Sequence, residues 1–230
     1  MSLGDFIKRL LGQEQSDSSD EIVFAPDSPD LPTLWNRSEG SRAKPNLAVL
    51  DGASTGTLQS LCDGYWNSFL DEEESDDDSV VILDGNIPIR ALEILKTRGA
   101  EVLPWARERL THRGYDAREH AAWLIGELAA KGLLGSEREA VAKQLAELAT
   151  RPWEEDPKEI QANSSAVSSL RRIGGAICIS ALKKILASAE WDQDDLQWNA
   201  AEMLSEVVGQ PFMQSEDPVR AAKEWVKNSK

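Results

Sequence analysis

The chain is poor in cysteine: Cys62 and Cys178 are its only two, and they stand far apart with no CxxC pair. This spacing excludes a disulfide framework and fits a reducing, cytoplasmic setting, in which both are expected to pack as small apolar side chains. No apolar run approaches the ~20 residues that a helix needs to cross a bilayer. The first residues lack an apolar core followed by a small-residue cleavage site, so a secretory signal is not expected.

Basic residues are missing from a long stretch, because no lysine or arginine lies between Pro45 and Ile89. The chain up to Ile89 holds 18 acidic and five basic residues, whereas the remainder holds 22 acidic and 20 basic ones. The net charge of −15 therefore resides almost entirely in an acidic leader attached to a nearly neutral body. Neither part offers the basic stripe that phosphate groups require, so nucleic acid is not an expected partner.

Histidine is equally scarce, with His112 and His120 as the only two. They are separated by a predicted helix boundary, and the neighbouring Glu119 points to a different helix face from His120. A metal site needs three or four converging ligands, so we predict no metal, no cofactor and no catalytic role here. The cysteines have no nearby base that would form a thiolate, which leaves nucleophilic catalysis unsupported. The chain is expected to be non-enzymatic.

The N-terminal region divides into three predicted segments. Residues 1–12 form an amphipathic helix, and residues 13–32 form an acidic, flexible linker. Residues 33–86 form an acidic region that is expected to be partly helical and to pack on the C-terminal body. The helix of residues 1–12 is expected to dock on protein. The alternative is a weak membrane tether, which its two basic residues support poorly.

Two features stand out within residues 33–86. A helical period over residues 58–70 predicts a helix, while residues 47–50 are compatible with either a strand or a helix start. Residues 71–78 carry seven acids and predict a solvated loop. Two other interpretations of this acidic run remain open. One is a calcium site, whose ligand spacing the run lacks, and the other is an acidic mimic that occupies a basic groove on a partner.

Regular amphipathic helical periods fill residues 87–230. Helix starts are predicted at N-cap residues, some in a capping box with glutamate and some beside proline: Asp116 with Glu119, Ser136 with Glu139, Asp156, Asp195 and Asp217. Glycines predict helix ends at Gly99, Gly174 and Gly209. Asp116, Asp156 and Asp195 stand 40 and 39 residues apart, and each opens the second helix of a predicted pair. A period of about 40 residues with two helices per unit is typical of HEAT or armadillo arrays.

The residues themselves support this interpretation. The segment from Asp116 to Gly126, with Arg118, two small alanines and a final Ile-Gly pair, resembles the second-helix motif of HEAT repeats of the phycobilin-lyase-like subclass. Residues 166–186 resemble a helix junction of that subclass, and residues 208–225 resemble its terminal repeat. The resemblance implies an all-α fold in which residues 87–230 form a short, right-handed α-solenoid of HEAT-type helix pairs. It implies no particular activity, because a fold does not carry a function.

An interaction surface is the function that such an array predicts. We expect a scaffold or adaptor that binds another protein through second helices, where exposed tryptophan and arginine are typical hot-spot residues. The candidate binding residues are Arg118, Trp123, Arg171, Arg172 and Trp198, although a purely structural role is equally expected for each. Two alternatives remain. One is an acidic inhibitor or immunity-type protein that blocks a basic partner surface, and the other is an accessory lyase-like protein that acts on a protein substrate.

Overall fold

The structure is a computed structural model that describes residues 35–36, 44–45, 47–72, 86–152, 159–188 and 195–229. Within these ranges the chain is almost entirely helical, so the predicted all-α class is confirmed. The strands that they contain are β1 (Trp35–Asn36) and β2 (Lys44–Pro45), which form a two-residue antiparallel ladder. The predicted helix over residues 1–12 and the predicted linker over residues 13–32 lie outside the described residues.

The chain divides into two compact units, one up to Val102 and the other from Leu103 to Lys230. The first unit holds a 3₁₀ turn (Leu47–Gly52), α1 (Thr55–Glu72), α2 (Asn86–Leu95) and a 3₁₀ turn (Gly99–Val102). The helices described in the second unit are α3 (Leu103–Arg109), α4 (Tyr115–Ala130), α5 (Arg138–Ala149), α6 (Glu159–Ile173), α7 (Gly175–Ala187), α8 (Asp195–Val208) and α9 (Pro218–Asn228).

In the first unit, α1 packs on α2, and α2 packs on the turn Leu47–Gly52. The helix predicted over residues 58–70 is confirmed as part of α1, whereas residues 47–50 form a 3₁₀ turn. Trp66 of α1 is 1% exposed and is one of the largest fully buried side chains of this core. Cys62 is also buried, and burial followed by the charge of Asp63 raises the pKa of its thiol. Cys62 therefore packs as an apolar side chain, as predicted.

In the second unit, the helices pack in two rows. Helix α4 packs along α6 and α6 along α8, while α5 packs along α7 and α7 along α9. Consecutive helices also contact one another, as α5 does α6 and α7 does α8. Apolar side chains spaced three or four residues apart fill the space between the rows, and those of α4, α6 and α8 include Leu124, Leu128, Val167, Leu170, Ala200 and Leu204. Because α4, α6 and α8 are neighbours in one row, their outward faces lie side by side.

The predicted helix starts are only partly correct. Helix α4 begins at Tyr115 with Gly114 as its N-cap, and no side chain caps it, so the prediction of Asp116 as N-cap is wrong. The reason is that the preceding loop fixes the start: Gly114 donates its N–H to His112 Nδ1 at 3.0 Å, and its carbonyl accepts from the N–H of Arg118. Asp116 instead lies in the first turn, where a negative charge favours the helix N-terminus.

The other starts differ in outcome. Ser136 lies in a 3₁₀ turn before α5, whose N-cap is Glu137 without a side-chain bond, so that capping box is also wrong. Helix α8 is described from Asp195, which is its first residue and not the residue before it, and residue 194 lies outside the described ranges, so the predicted N-cap at Asp195 stays a prediction. Asp217 is confirmed as the N-cap of α9, because its carboxylate accepts from the N–H of Arg220 at 3.0 Å and proline follows it. Asp156 lies outside the described residues.

Two predicted helix ends depend on a backbone conformation that favours glycine. Gly174 has φ +71° and follows the last residue of α6, where its N–H donates to the carbonyl of Leu170 at 2.7 Å. Gly209 has φ +67° and follows the last residue of α8. Residues with a Cβ are strained in this left-handed conformation, whereas glycine adopts it freely, so a glycine follows each helix at this point.

Candidate interaction surface

The outward faces of α4, α6 and α8 form the surface on which most of the predicted binding residues lie. We call it the row surface. It consists of Asp116, Glu119, Trp123 and Glu127 on α4, of Ser165, Ser168, Arg171 and Arg172 on α6, and of Trp198, Glu202 and Glu206 on α8. All of these side chains are half-buried or exposed, whereas the opposite face of each helix is buried.

The outer helices of the row carry the same residue types at the same spacing. On α4, Glu119, Trp123 and Glu127 follow one another at steps of four residues, and on α8 Trp198, Glu202 and Glu206 do so as well. Residues four apart are neighbours on a helix surface, so each helix presents a ridge of one tryptophan and two glutamates.

Helix α6 lies between these two ridges and presents short side chains in its middle part, between the exposed Gln161 and the exposed Arg171. Ser165 is half-buried and Ser168 is exposed on its outward face. On its flank, Ser169 is buried and donates its hydroxyl hydrogen to the carbonyl of Ala122 at 2.6 Å, which holds α6 close to α4. In the middle of the row surface, the small side chains of Ser165 and Ser168 therefore lie between two ridges of larger side chains. We call this part of α6 the floor of the row surface.

Ion pairs join all three helices at the C-terminal end of α6. Arg172 pairs with Glu127 of α4, and Arg171 pairs with Glu206 of α8 at 2.6 Å. Both pairs are partly exposed to solvent, so each contributes about 0–1 kcal/mol to stability. The two pairs link α6 to both of its neighbours in the row.

The two tryptophans of the row surface differ in exposure. Trp123 is half-buried, whereas Trp198 is 45% exposed. In the described part of the chain, Trp198 and Ile89 are the only exposed large hydrophobic side chains. An indole left this open on the surface of a helix row is a feature typical of a binding hot spot.

Arg118 is the one predicted binding residue that the structure does not place on the surface. Its side chain is fully buried on the inner side of α4 and has no area with which to contact a partner. The guanidinium donates to the carbonyls of His112 and Arg113 and pairs with Glu159 at the start of α6. Its contacts are thus all within the chain, and we assign Arg118 a structural role.

Sequence reasoning missed the glutamates of the row surface. The steps of four residues that link Glu127 to Trp123, and Glu202 and Glu206 to Trp198, are visible in the sequence. What the sequence does not reveal is that α4 and α8 flank the same helix, which makes the two ridges comparable.

Two carboxylates, those of Asp116 and Glu119, lie near the N-terminal end of α4. Burial raises the pKa of Glu119 above its ordinary value of 4.5, and the charge of Asp116 raises it further. Burial also lowers the pKa of His120 from 6.5, while Asp116 acts in the opposite direction. Both groups therefore resist ionisation, because water is partly excluded from this part of the helix.

Replacing Glu119 with glutamine is expected to raise the free energy of unfolding at about pH 7. A carboxyl whose folded-state pKa is raised contributes stability below its unfolded value of 4.5, and this contribution is lost as the pH rises through the folded-state pKa. At neutral pH the ionised Glu119 is thus unfavourable, and glutamine removes that cost. Thermal unfolding at about pH 7 and about pH 4 should show a gain that shrinks at the lower pH.

Glu139→Gln is the matched control for this prediction. Glu139 occupies the first turn of α5, and Glu119 follows the first turn of α4. A hydrogen bond from Lys143 lowers the pKa of Glu139. Its substitution should slightly lower the melting temperature at neutral pH. A loss of stability on Glu119→Gln at neutral pH would show that the carboxylate makes a favourable contact instead.

The remaining chemistry of the described residues is limited. They contain no group of three histidine, cysteine or acidic side chains that could hold a metal ion. Cys178 is buried, and burial raises the pKa of its thiol to about 11, so it remains a thiol at neutral pH. None of the described helices has the length and apolar character needed to cross a membrane. Comparisons with protein-family models, with curated proteins and with solved structures give no match.

Proposed function

We propose that this protein is a non-enzymatic scaffold or adaptor that binds another protein through the row surface. The observation that carries the proposal is Trp198, a 45% exposed indole on a row of three helices that ion pairs tie together. Exposed tryptophans on rigid supports lose little entropy on binding, which makes them effective anchors.

We also propose that the second unit is a short, right-handed α-solenoid of HEAT-type helix pairs. The support for this fold is the order of helix contacts: α4, α6 and α8 pack in succession, and so do α5, α7 and α9. Such packing of each helix with the next and with the next but one is what stacked helix pairs produce. In arrays of this kind the second helices line the concave face, which would be the row surface here.

The small side chains of α6 support a binding role as well. Ser165 and Ser168 leave a shallow floor between Trp123 on one ridge and Trp198 on the other. A partner segment could enter this floor without displacing any large side chain of α6.

The test is an affinity capture from a lysate of the protein's own host with the full-length chain and two variants. Trp198→Ala removes the anchor, and Ser168→Gln fills the floor without adding charge. Each is expected to reduce the amount of the same captured protein by about tenfold, the loss typical of a hot spot. Quantitative mass spectrometry of the captured proteins measures this reduction.

Ser180→Gln is the matched control, since Ser180 is an exposed serine on α7 in the other row. It should leave capture unchanged, and circular dichroism should show equal helicity for all variants. Capture that is equally strong with all three variants would exclude the row surface. Capture that depends instead on the acidic run of residues 71–78 would favour an acidic inhibitor of a basic partner.

A further inference from the structure

The charges of the row surface are unbalanced. Its arginines are Arg171 and Arg172, and each already pairs with a glutamate of a neighbouring helix. Glu119 and Glu202 are further carboxylates on the same surface, and Asp116, which has contacts of its own, lies about one turn before Glu119. Glu202 makes no hydrogen bond or ion pair with any residue in the part of the chain that the structure describes. The residues that define the row surface thus include five carboxylates and two guanidinium groups, and the excess of carboxylates lies away from the C-terminal end of α6.

The arrangement of these carboxylates favours a cationic ligand. Asp116 and Glu119 lie in the first turns of α4, where they repel each other and raise the pKa of Glu119 together with burial. A lysine or arginine side chain brought to this turn would relieve the repulsion. Glu202 offers a second carboxylate on α8, two helices away, which is about 20 Å at ordinary helix spacing. About six residues of extended peptide span that distance.

The two tryptophans of the row surface also attract cations. Trp123 stands one turn after Glu119, and Trp198 stands one turn before Glu202. The face of an indole attracts ammonium and guanidinium groups, so a cation that reaches either carboxylate also meets an aromatic ring. Lysine and arginine stems would pack on these rings while their charged ends contact the glutamates.

We propose that the row surface binds an extended, lysine- or arginine-rich segment of a partner protein, held between the carboxylate and indole of α4 and those of α8. This inference rests on the proposed function, since it names the chemistry of the partner for the same surface. Its contacts are ionic and cation–π, so binding weakens as the salt concentration rises. A glutamate-rich segment is excluded by the same charges.

The experiment uses the full-length chain and a fluorescein-labelled 12-residue peptide of repeating Lys-Gly-Ser, followed by fluorescence anisotropy. The length-matched Glu-Gly-Ser peptide is the charge control. The Lys peptide is expected to bind, and the double variant Glu119→Gln/Glu202→Gln to weaken that binding by about tenfold. Trp198→Ala, which leaves the charge unchanged, should weaken it as well. The Glu peptide should not bind.

Two control variants separate the row surface from the general acidity of the chain. Glu139→Gln/Glu147→Gln removes two negative charges from α5, and Asp76→Asn/Asp77→Asn removes two from the acidic leader. Both should bind the Lys peptide as the unmodified protein does. Equal weakening by the leader variant and the row variant, or none by the row variant, would overturn the proposal.

Failure of this inference differs from failure of the proposed function. If no Lys peptide binds but Trp198→Ala still abolishes capture of a host protein, the row surface is a binding site for a partner of other chemistry. If neither the peptide nor any host protein depends on Trp198, the proposed function fails too.

Discussion

Arg118→Ala is expected to lower the free energy of unfolding of the second unit by about 3 kcal/mol or more, because removing one partner of a buried ion pair leaves the other uncompensated. Arg118 is fully buried, and its partner Glu159 has 20% of its side chain exposed. The carbonyls of His112 and Arg113 would lose their guanidinium donor at the same time. The truncated side chain would also leave a cavity between α4 and α6.

Arg172→Ala is the matched control, because it breaks an ion pair between the same two helices at the surface. The side chain of Arg172 is 38% exposed, so its substitution should cost within about 0.5 kcal/mol. Urea unfolding followed by circular dichroism measures both values. Arg118→Lys should fall between them, since one ammonium keeps the charge but cannot reach all three acceptors. Equal losses for Arg118→Ala and Arg172→Ala would contradict a structural role for the buried guanidinium.

The helices were predictable where apolar spacing alone decides them. Helices α4, α6 and α8 each carry an apolar stripe at steps of three and four, and a helix with such a stripe buries it regardless of which partner it meets. The starts of α4 and α5 were not predictable from Asp116 and Ser136, because an N-cap depends on the loop before the helix. His112 and Arg118 fix the loop before α4, and neither contact follows from the spacing of a capping box.

In the candidate site too, local spacing predicts some features, whereas others depend on contacts between residues distant in sequence. Arg118 stands four residues before Ala122 and seven before Ile125, both fully buried, so its place within the apolar stripe was a usable signal of burial. Its partner Glu159 lies 41 residues further along the chain, a pairing that no local pattern reveals. Arg171 and Arg172 follow the buried Leu170 on α6, and their exposure depends on which helices flank it.

Gly126→Ala is expected to destabilise the second unit by about 2 kcal/mol, because an added methyl overpacks the contact between α4 and α6. A Cβ at Gly126 would lie 3.0 Å from the Cβ of Ser169 and 3.3 Å from its Cα, and it would overlap the Ser169 hydroxyl. That hydroxyl cannot simply rotate away, since it is buried and donates to Ala122. The higher helix propensity of alanine offsets at most about 1 kcal/mol of this destabilisation.

The decisive comparison is the double variant Gly126→Ala/Ser169→Gly, which removes both the hydroxyl and the Cβ that the new methyl would meet. It should be more stable than the sum of the two single losses predicts, by about 1 kcal/mol or more, since residues in contact are not additive. Gly56→Ala in α1 is the control, because its nearest neighbour would be Ser54 Oγ at 3.9 Å, and it should be neutral or slightly stabilising. Chemical unfolding of all four variants measures these differences. Strict additivity between the two positions would mean that α6 can shift away from α4, and that the floor of the row surface is less rigid than its contacts indicate.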